Sequence, residues 1–283
     1  MTDTLTHIGR ALVQHGASND RVYLMKTGGE KPERLFPAIE ELARQNNYGK
    51  IFAKVPSSDA PWLADRGYRE EARIPGYFAR REDACFMSRF PDPLRAQSGE
   101  LPALPRPRAG GRLAAAAAKY AALTVRPADT ADAEAMAALY GRVFPSYPFP
   151  INKPEYLLKT MRDNVCYFIV EDNGRLAALS SGEIDRPAKA VEMTDFATLP
   201  PYRARGLASV LLKRMEQHLS DRGLLTAYTI ARAVSTGINR LFCGAGYAFG
   251  GTLVNNTQIS GSIESMRVWH KPLPTGGGAC PTD

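Results

Sequence analysis

Hydrophobic residues in the first third of the chain switch between the two-residue period of a β-strand and the wider spacing of a helix. Alternating stretches predict strands, and the amphipathic stretches between them predict helices. The resulting order, β-α-β-α-β-β, indicates a mixed sheet. The predicted strands are residues 20–26, 50–56, 72–79 and 84–90, and the predicted helices are residues 33–47 and 59–68.

The second half of the chain repeats this alternation in a longer form. Leucine and methionine at four-residue steps predict a helix over residues 206–223 with one apolar face. Asn173-Gly174 is a strong hairpin signal, and Thr130 and Asn152 are the expected caps of two earlier helices. The predicted strands are residues 123–128, 190–200 and 224–231 with hairpins over 166–185 and 251–271, and the other predicted helices are residues 130–144, 152–164 and 235–247.

A change of composition separates the two patterns. Prolines, glycines and an alanine run dominate residues 91–120, and such a stretch is stiff and buries little surface, so it predicts a linker with a short helix at its end. The glycine-rich C-terminus is expected to be disordered. The expected division is an N-terminal domain over residues 1–92, a linker over 93–122, a second domain over 123–272 and a tail over 273–283.

The composition is that of a globular protein with a basic surface. Of 283 residues, 44% are hydrophobic and 23% charged, and the net charge is +7. Because the lysines and arginines are scattered, with no run of five, a small polyanionic ligand is favoured, and no nucleic-acid partner is expected. A nucleic-acid binder stays open as an alternative, which a salt-sensitive interaction would reveal.

The spacing of the cysteines and histidines and the lack of long apolar runs argue against a metalloprotein, a secreted protein and a membrane protein. The four cysteines and four histidines are far apart and form no CxxC pair, so no metal site is expected. Reduced thiols favour a cytoplasmic protein. The N-terminus contains acids and no apolar core, so we expect neither a signal peptide nor, without a run of about 18 apolar residues, a membrane partner.

The segment TLPPYRARGLASVLLKRM, residues 198–215, places a basic, glycine-containing loop between a predicted strand and a predicted helix. The first N–H groups of a helix lack partners and, with the helix dipole, attract an anion. Gly206 permits close backbone approach, and Arg203 and Arg205 add positive charge. The segment therefore predicts a pyrophosphate cradle, with a plain strand-to-helix connector as the alternative.

This segment resembles the acetyl-CoA motif of the GNAT N-acetyltransferases, in which R/Q-x-x-G-x-G/A opens a helix. Here the motif reads RARGLA, residues 203–208, and the order of elements over residues 123–272 also matches the GNAT fold. The stretches NDRVYLMK, YGKIFAKVP, GYREEARIPGYF, MTDFATL and GTLVNNTQISGSIESM extend the resemblance to the β-lysine N-acetyltransferase family across both domains.

The resemblance implies a fold and a reaction. It implies an α/β fold with a mixed sheet, a catalytic C-terminal GNAT domain, and a half-GNAT-like N-terminal domain without a second coenzyme site. The implied reaction moves acetyl from acetyl-CoA, as cosubstrate and without a metal, to the ε-amine of β-lysine, and the product serves as a compatible solute. The alternatives are a GNAT enzyme for another amine, such as a polyamine or protein lysine, and a non-catalytic acetyl-CoA-binding module.

The resemblance also implies which residues contact acetyl-CoA. Pantetheine is expected along the strand before the loop, and pyrophosphate at the N–H groups that open the helix. Phe242 stands at the position where the family carries a tyrosine that protonates the departing thiolate, and Tyr228 and Cys243 are open alternatives for this role. The implied coenzyme residues are Phe196, Ala197, Thr198, Arg203, Ala204, Arg205, Gly206, Leu207, Ala208, Ser209, Asn239 and Phe242.

Attack on acetyl-CoA requires a neutral amine, so the site needs a base. By resemblance this base is Glu192, with Asp195 as the second candidate acid. Regular alternation would put the two on opposite faces of the strand, and a bulge would change that. Which of them is the base stays open.

A β-lysine pocket must hold a carboxylate and a second ammonium group, which calls for amide and acidic side chains. The polar run NNTQ on the last hairpin supplies such groups, and Arg267 and His270 replace the family's Asn and Tyr in MRVWHK. The expected partner is a small-molecule amine, and a homodimer is left open. The candidate substrate residues are Tyr147, Asn255, Asn256, Gln258 and Glu264.

Overall fold

One mixed β-sheet passes through both halves of the chain in the computed structural model, which describes residues 3–106, 123–145, 147, 149–259 and 261–274. Among these residues the strands are β1 (Thr4–Ile8), β2 (Ala11–Gly16), β3 (Arg21–Lys26), β4 (Lys50–Pro56), β5 (Arg69–Phe78), β6 (Glu82–Arg89), β7 (Leu123–Pro127), β8 (Val165–Asp172), β9 (Arg175–Asp185), β10 (Ala190–Thr198), β11 (Thr226–Arg232), β12 (Ala248–Ile259) and β13 (Ser262–Pro272). Their order in the sheet is β1-β2-β3-β4-β6-β5-β12-β13-β11-β10-β9-β8-β7. The pairs β3/β4 and β10/β11 are parallel and the others antiparallel, so the predicted mixed sheet is confirmed.

Helices cover the sheet with the apolar faces that the sequence predicts. The stripe Leu207, Leu211, Met215 and Leu219 is at most 2% exposed and packs with β8 and β10 in one core. None of the described helices is both long and apolar enough to cross a bilayer. The helices are α1 (Pro32–Gln45), α2 (Ala60–Ala64), α3 (Ala133–Val143), α4 (Pro154–Asp163), α5 (Leu207–Asp221) and α6 (Thr236–Gly244).

Three local predictions are corrected. The hairpin β1–β2 is absent from the predicted elements, because β1 is a largely exposed edge strand whose polar residues give little alternation. Thr130 is not the cap of α3: it begins a 3-10 turn, Thr130–Asp132, that leads into α3, and Asp129 caps this turn by accepting a hydrogen bond from the Ala131 N–H at 2.8 Å. Lys153, not Asn152, is the N-cap of α4, and it makes no side-chain cap.

The two halves of the chain join where β5 meets β12. Gly251 pairs with Ala72 and has a φ of +142°, a region that favours glycine. A Cβ on Gly251 would lie 2.2 Å from the Glu71 carbonyl oxygen, so no larger residue fits this approach. Residues of both halves then share one core, which includes Tyr23, Phe52, Tyr77, Ala190, Tyr228 and Leu253. The two halves are therefore joined by the sheet and by a common core.

A buried ion pair reinforces this join. Lys50 and Glu71 are 0% and 2% exposed, with Nζ and Oε2 2.7 Å apart. The Lys50 ammonium also donates to the Val254 carbonyl on β12 at 2.7 Å, and the Glu71 carboxylate accepts from the Val254 N–H at 2.9 Å. The pair thus binds β4 and β5 of one half to β12 of the other.

Replacing Lys50 with methionine is expected to lower the free energy of unfolding by about 3–5 kcal/mol, because Glu71 would stay buried without its cation. Urea denaturation followed by circular dichroism measures this loss. The exposed pair Arg44–Glu41 is the control, and its R44M variant should leave the urea midpoint nearly unchanged. A K50M midpoint as high as that of R44M would contradict the role given to the pair.

The start of the expected linker is anchored to both halves. Arg95 is 7% exposed and donates to the Asp20 carboxylate at 2.5 Å and to the Asn255 carbonyl at 3.0 Å. Further along, the Pro102 carbonyl accepts a hydrogen bond from Arg267. Residues 107–122 of the expected linker, with most of its short helix, and residues 275–283 of the expected tail lie outside the described residues.

Candidate active site

Strands β10 and β11 separate partway along their length. They pair only from Ala190 to Glu192 on β10, opposite Thr226 to Tyr228 on β11. Beyond this point β11 continues against β13, and β10 continues against β9. Within the described residues, the β11-facing edge of β10 from Met193 onward therefore has no partner strand. Phe196, Ala197 and Thr198, expected beside pantetheine, lie along this open edge.

The loop after β10 leads into helix α5, whose N-terminus has no side-chain cap. Gly206 is the N-cap of α5 with φ +82°, and neither a side-chain cap nor an acid occupies the first turn. The N–H groups of Gly206, Leu207 and Ala208 have no acceptor in the described part of the chain. Ala204 has a φ of +60°, which is strained for a residue other than glycine and common at ligand sites. The loop therefore presents free donors at the positive end of a 15-residue helix.

The two arginines of the loop have different surroundings. Arg203 Nε donates to the Thr198 carbonyl at 3.2 Å, which ties the loop to the end of β10. The Arg205 guanidinium lies 5.2 Å from the centre of the Tyr202 ring. Both side chains are exposed, so their charge is available at the mouth of the cradle. Ala208 and Ser209 continue the first turn of α5.

Asn239 and Phe242, expected to contact the coenzyme, are buried and not exposed at the open edge of β10. Asn239 is 1% exposed, and its amide donates to the Arg232 and Ser235 carbonyls at 2.9 and 2.8 Å while its oxygen accepts from Trp269 Nε1 at 2.9 Å. Phe242 is fully buried and packs edge-on against Phe196, with ring centres 5.7 Å apart. These contacts make both residues part of the buried face of α6, where Asn239 bonds β13 and Phe242 packs on β10.

A bulge in β10 brings Glu192 and Asp195 to the same face. Glu192 pairs with Glu183 on β9 and Thr194 with Ser181, and the register shifts between Thr194 and Ala197. Asp195 is the bulged residue with φ +55°, and its carboxylate accepts from Ser181 Oγ at 2.5 Å. Because Ser181 and Glu183 share a face of β9, Asp195 joins Glu192 there, which regular alternation would forbid.

Burial changes the acidity of this group of carboxyls. Glu192, Asp195 and Glu183 are surrounded by protein yet keep part of their surface accessible. Burial and the neighbouring Glu183 raise the pKa of Glu192 to about 7, and burial also raises the pKa values of Glu183 and Asp195. A carboxyl with a pKa near 7 is matched to proton transfer at neutral pH.

The two candidate bases differ in their hydrogen bonds. Asp195 accepts from Tyr147 Oη, from Ser181 Oγ and, at 3.3 Å, from Thr194 Oγ1. Tyr228, opposite Glu192 on β11, is the hydroxyl that lowers the pKa of Glu192. Glu192 therefore has more oxygen lone pairs free for a substrate proton, whereas three hydrogen bonds hold the Asp195 carboxyl in place.

Tyrosines enclose the acidic side of the site. Tyr147 Oη bonds Asp195, and Tyr167 Oη bonds Thr160 Oγ1 at 2.9 Å. Tyr156 is half-buried, and the nearby Asp195 and Glu183 help burial to raise its pKa to about 12. Aromatic faces combined with carboxylates favour alkylammonium ions. Of the candidate substrate residues, Tyr147 is thus beside the acids.

The polar residues of the last hairpin have other partners. Asn255 donates to the Arg95 and Gln97 carbonyls at 3.0 and 2.8 Å. The Asn256 carbonyl accepts from Arg21, and the Gln258 N–H donates to Asn19 Oδ1 at 2.6 Å. Glu264 forms an ion pair with Arg232. The contacts of Asn255, Asn256 and Gln258 hold β12 to the N-terminal half and the start of the linker, and the Glu264 pair joins β13 to β11. Within the described residues none of these contacts reaches Glu192 or Asp195.

Two charged groups of the site were missed from the sequence. Glu183 interrupts the buried strand β9, and a polar residue in a strand that is otherwise buried is the signal that could have found it. Lys54 of β4 lies among apolar neighbours in KIFAKVP, yet its ammonium donates to Tyr228 Oη at 3.4 Å. No cluster of the described histidines, cysteines and acids could hold a metal ion.

Comparison with known proteins places these features among acetyltransferases. A model of the acetyltransferase (GNAT) family matches residues 133–242. The chain is 37% identical to the β-lysine N(6)-acetyltransferase of Methanococcus maripaludis, over 95% of this chain and 98% of that one. It is 32% identical to the enzyme of that name from Methanosarcina mazei, over 85% and 97% of the two chains. Among solved structures, the ribosomal-protein-S18-alanine N-acetyltransferase of Escherichia coli matches 56% of this chain and 99% of its own, with 19% identity and a TM-score of 0.48.

Proposed function

This chain belongs to the β-lysine N(6)-acetyltransferases within the GNAT family, and we propose that it transfers the acetyl group of acetyl-CoA to the ε-amine of β-lysine. The observation that carries the proposal is the group of three carboxyls, Glu183, Glu192 and Asp195, beside the open edge of β10. β-Lysine enters with two ammonium groups. A site that accepts a proton from one and pairs with the other needs more than one carboxyl.

The open edge and the loop fit acetyl-CoA. Pantetheine contains amide groups that can pair with the free backbone edge from Met193 to Thr198, as a further strand would. The pyrophosphate would accept from N–H groups between Arg205 and Ser209, chiefly those of Gly206, Leu207 and Ala208, since the Ser209 N–H donates to the Gly206 carbonyl at 3.0 Å. Arg203 and Arg205 would supply charge at the mouth. This arrangement brings the thioester to the point where β10 and β11 separate, next to Glu192 and Tyr228.

In the proposed reaction, the Glu192 carboxylate takes a proton from the ε-ammonium, which frees the amine's lone pair. The amine then forms a bond to the acetyl carbon, and the bond from that carbon to the CoA sulfur breaks with its electron pair going to the sulfur. The nitrogen loses its surplus proton as the amide forms, and a proton donor neutralises the thiolate and regains its proton from the nitrogen. Of the two open proton donors for the thiolate, Tyr228 lies where the strands separate, opposite Glu192, whereas the Cys243 thiol donates to the Pro105 carbonyl at 3.3 Å. This placement favours Tyr228.

The product has a chemistry suited to the role that the family implies. β-Lysine carries two ammonium groups and one carboxylate, and acetylation removes one positive charge. Nε-acetyl-β-lysine is therefore a zwitterion with no net charge, in keeping with a compatible solute. We place the reaction in the cytoplasm, because Cys85, Cys166 and Cys243 are free thiols in the described part of the chain.

A pair of substrates tests the proposal. 6-Aminohexanoate has the chain length of β-lysine and lacks only its β-amine, so it cannot pair with a second carboxyl. We expect kcat/KM for β-lysine to exceed that for 6-aminohexanoate by about 100-fold, the value of one or two charge-assisted hydrogen bonds. CoA release measures both kcat/KM values, and mass detection identifies the acetylated products. Failure to acetylate β-lysine, or an equal rate with α-lysine, would overturn the proposed function.

The same two substrates test which carboxyl pairs with the β-ammonium group. Glu183→Gln keeps the shape of the side chain and removes its charge, so it should cut the preference for β-lysine over 6-aminohexanoate by about tenfold. Glu155→Gln is the matched control, because Glu155 is exposed on α4 next to Tyr156 and should keep the wild-type preference. An unchanged preference in Glu183→Gln would remove Glu183 from substrate binding.

A further inference from the structure

Lys54 is a charged residue of the N-terminal half that lies inside the shared core. It is 8% exposed, on β4, and its Nζ donates to Tyr77 Oη at 2.7 Å and to Tyr228 Oη at 3.4 Å. The ammonium also lies 4.7 and 5.4 Å from the ring centres of the same two tyrosines. Tyr77 Oη in turn donates to Asp185 at 3.3 Å.

These contacts connect Lys54 to the proposed base. Tyr228 is the residue opposite Glu192 on the neighbouring parallel strand, and its hydroxyl lowers the pKa of the Glu192 carboxyl. The Lys54 ammonium therefore contacts the tyrosine that is the strand neighbour of Glu192. This contact crosses from the N-terminal half to the C-terminal half within the shared core.

We infer that Lys54 is a positioning residue for catalysis: its ammonium holds Tyr228 in place beside Glu192 and supplies a positive charge to the site where three carboxyls meet. The inference rests on the proposed function, since it concerns the base of that reaction. It gives the N-terminal half a part in the chemistry beyond walling the pocket.

The charges around Glu192 show why such a cation is needed. Glu183 and Asp195 repel a negative charge on Glu192, and burial acts in the same direction, whereas Lys54 lowers the pKa of Glu192. Lys54 itself stays protonated, because neighbouring tyrosines and Asp185 outweigh burial and raise its pKa. The groups that face Glu192 are Glu183 on β9, Asp195 on β10, Tyr228 on β11, Lys54 on β4, Tyr23 on β3, and Tyr147.

The pH dependence of turnover in Lys54→Met tests this inference. Glu192 must be ionised to accept a proton, so activity falls as the pH drops through its pKa, near 7. Removing the cation raises that pKa, so the acid limb of kcat/KM should move up by about one pH unit. Activity should fall by about fivefold at pH 7 and by about tenfold well below pH 7, and it should recover above pH 8.5. A merely structural role would lower activity equally at every pH.

Controls separate charge from folding. Lys54→Arg keeps the cation and should keep the acid limb in place. Lys50→Met removes a buried lysine from the same strand, and Lys50 is not among the groups that act most strongly on the pKa of Glu192. The acid limb of this variant should therefore lie at the same pH as that of the wild type. Tyr228→Phe removes the connecting hydroxyl and provides a second test if Lys54→Met does not fold, because its limb should also move up.

Each outcome decides between the two proposals. An acid limb that stays in place in Lys54→Met, or in Tyr228→Phe where Lys54→Met is insoluble, would overturn the inference. If Glu192→Gln abolishes turnover while the acid limbs of Lys54→Met and Tyr228→Phe stay at the wild-type pH, the proposed function stands and the role of Lys54 is wrong. If wild-type protein does not acetylate β-lysine, the proposed function itself fails.

Discussion

Replacing Gly206 with glutamate is expected to weaken acetyl-CoA binding by at least about 100-fold. Gly206 has a φ of +82° and opens α5, where it leaves room for an anion at the helix's free N–H groups. A side chain there strains the backbone by about 1–2 kcal/mol, and a carboxylate would itself occupy the positive end of the helix and repel pyrophosphate. Isothermal titration calorimetry with acetyl-CoA measures the loss.

Gly223 provides the matched control at the other end of the same helix. Its φ is +79°, and a Cβ there would meet no atom within 4 Å. Glycine to glutamate at residue 223 therefore introduces the same side chain and a similar backbone strain, far from the proposed cradle. We expect its acetyl-CoA affinity to match the wild type. Equal affinities for the two variants would disprove the cradle at α5.

The loop before α5 could be predicted because its properties are local. A strand, a short glycine-containing turn and an amphipathic helix follow one another within residues 190–223, and their order requires no knowledge of distant contacts. Backbone N–H groups, rather than particular side chains, make the proposed anion site. The same reasoning explains why the fold class, which depends on element order, is confirmed by the structure.

The acidic site was harder to predict because it depends on one irregular residue and on distant strands. Counting along β10 puts Glu192 and Asp195 on opposite faces, and only the bulge at Asp195 brings them together. Glu183 and Lys54 reach the same place from β9 and β4 through strand pairing and packing that no local pattern specifies. Long-range placement of this kind leaves little trace in a single sequence.

The polar run on the last hairpin is a clear sequence signal that does not identify its own partners. Asn255 to Gln258 are unusual residues for a sheet, and from the sequence they predict a substrate pocket. In the structure they satisfy Asn19, Arg21 and the backbone of residues 95–97. A buried polar residue needs partners of some kind, and its sequence does not say whether these belong to a ligand or to the protein.

The join between the halves then serves both stability and the proposed chemistry. Lys50 and Lys54 are four residues apart on β4, and each ammonium bonds a residue of the C-terminal half, Val254 or Tyr228. The first contact ties β12 to the N-terminal half, and the second extends from that half to the proposed base. A separated C-terminal half would therefore keep the loop before α5 and lose the cation beside Glu192.

Replacing Glu192 with glutamine is expected to lower kcat by about 10²–10⁴-fold and to leave acetyl-CoA affinity nearly unchanged. The amide cannot take a proton from the ε-ammonium, and loss of a general base costs this much in other enzymes. The proposed coenzyme contacts are made by the backbone edge of β10 and the loop before α5, and not by this carboxyl. Asp195→Asn is the comparison, and it should raise KM for β-lysine more than it lowers kcat, because Tyr147 and Ser181 hold the Asp195 carboxyl in place by hydrogen bonds.

The pH profile decides whether Glu192 is the base. In the wild type, kcat should rise with pH and level off above the pKa of Glu192, near 7. Without that carboxyl, the residual rate depends on the small neutral fraction of an amine whose pKa is about 10.4, so it should rise about tenfold per pH unit well past pH 8 with no break near 7. A break that persists near 7 in Glu192→Gln and vanishes in Asp195→Asn would transfer the role of base to Asp195.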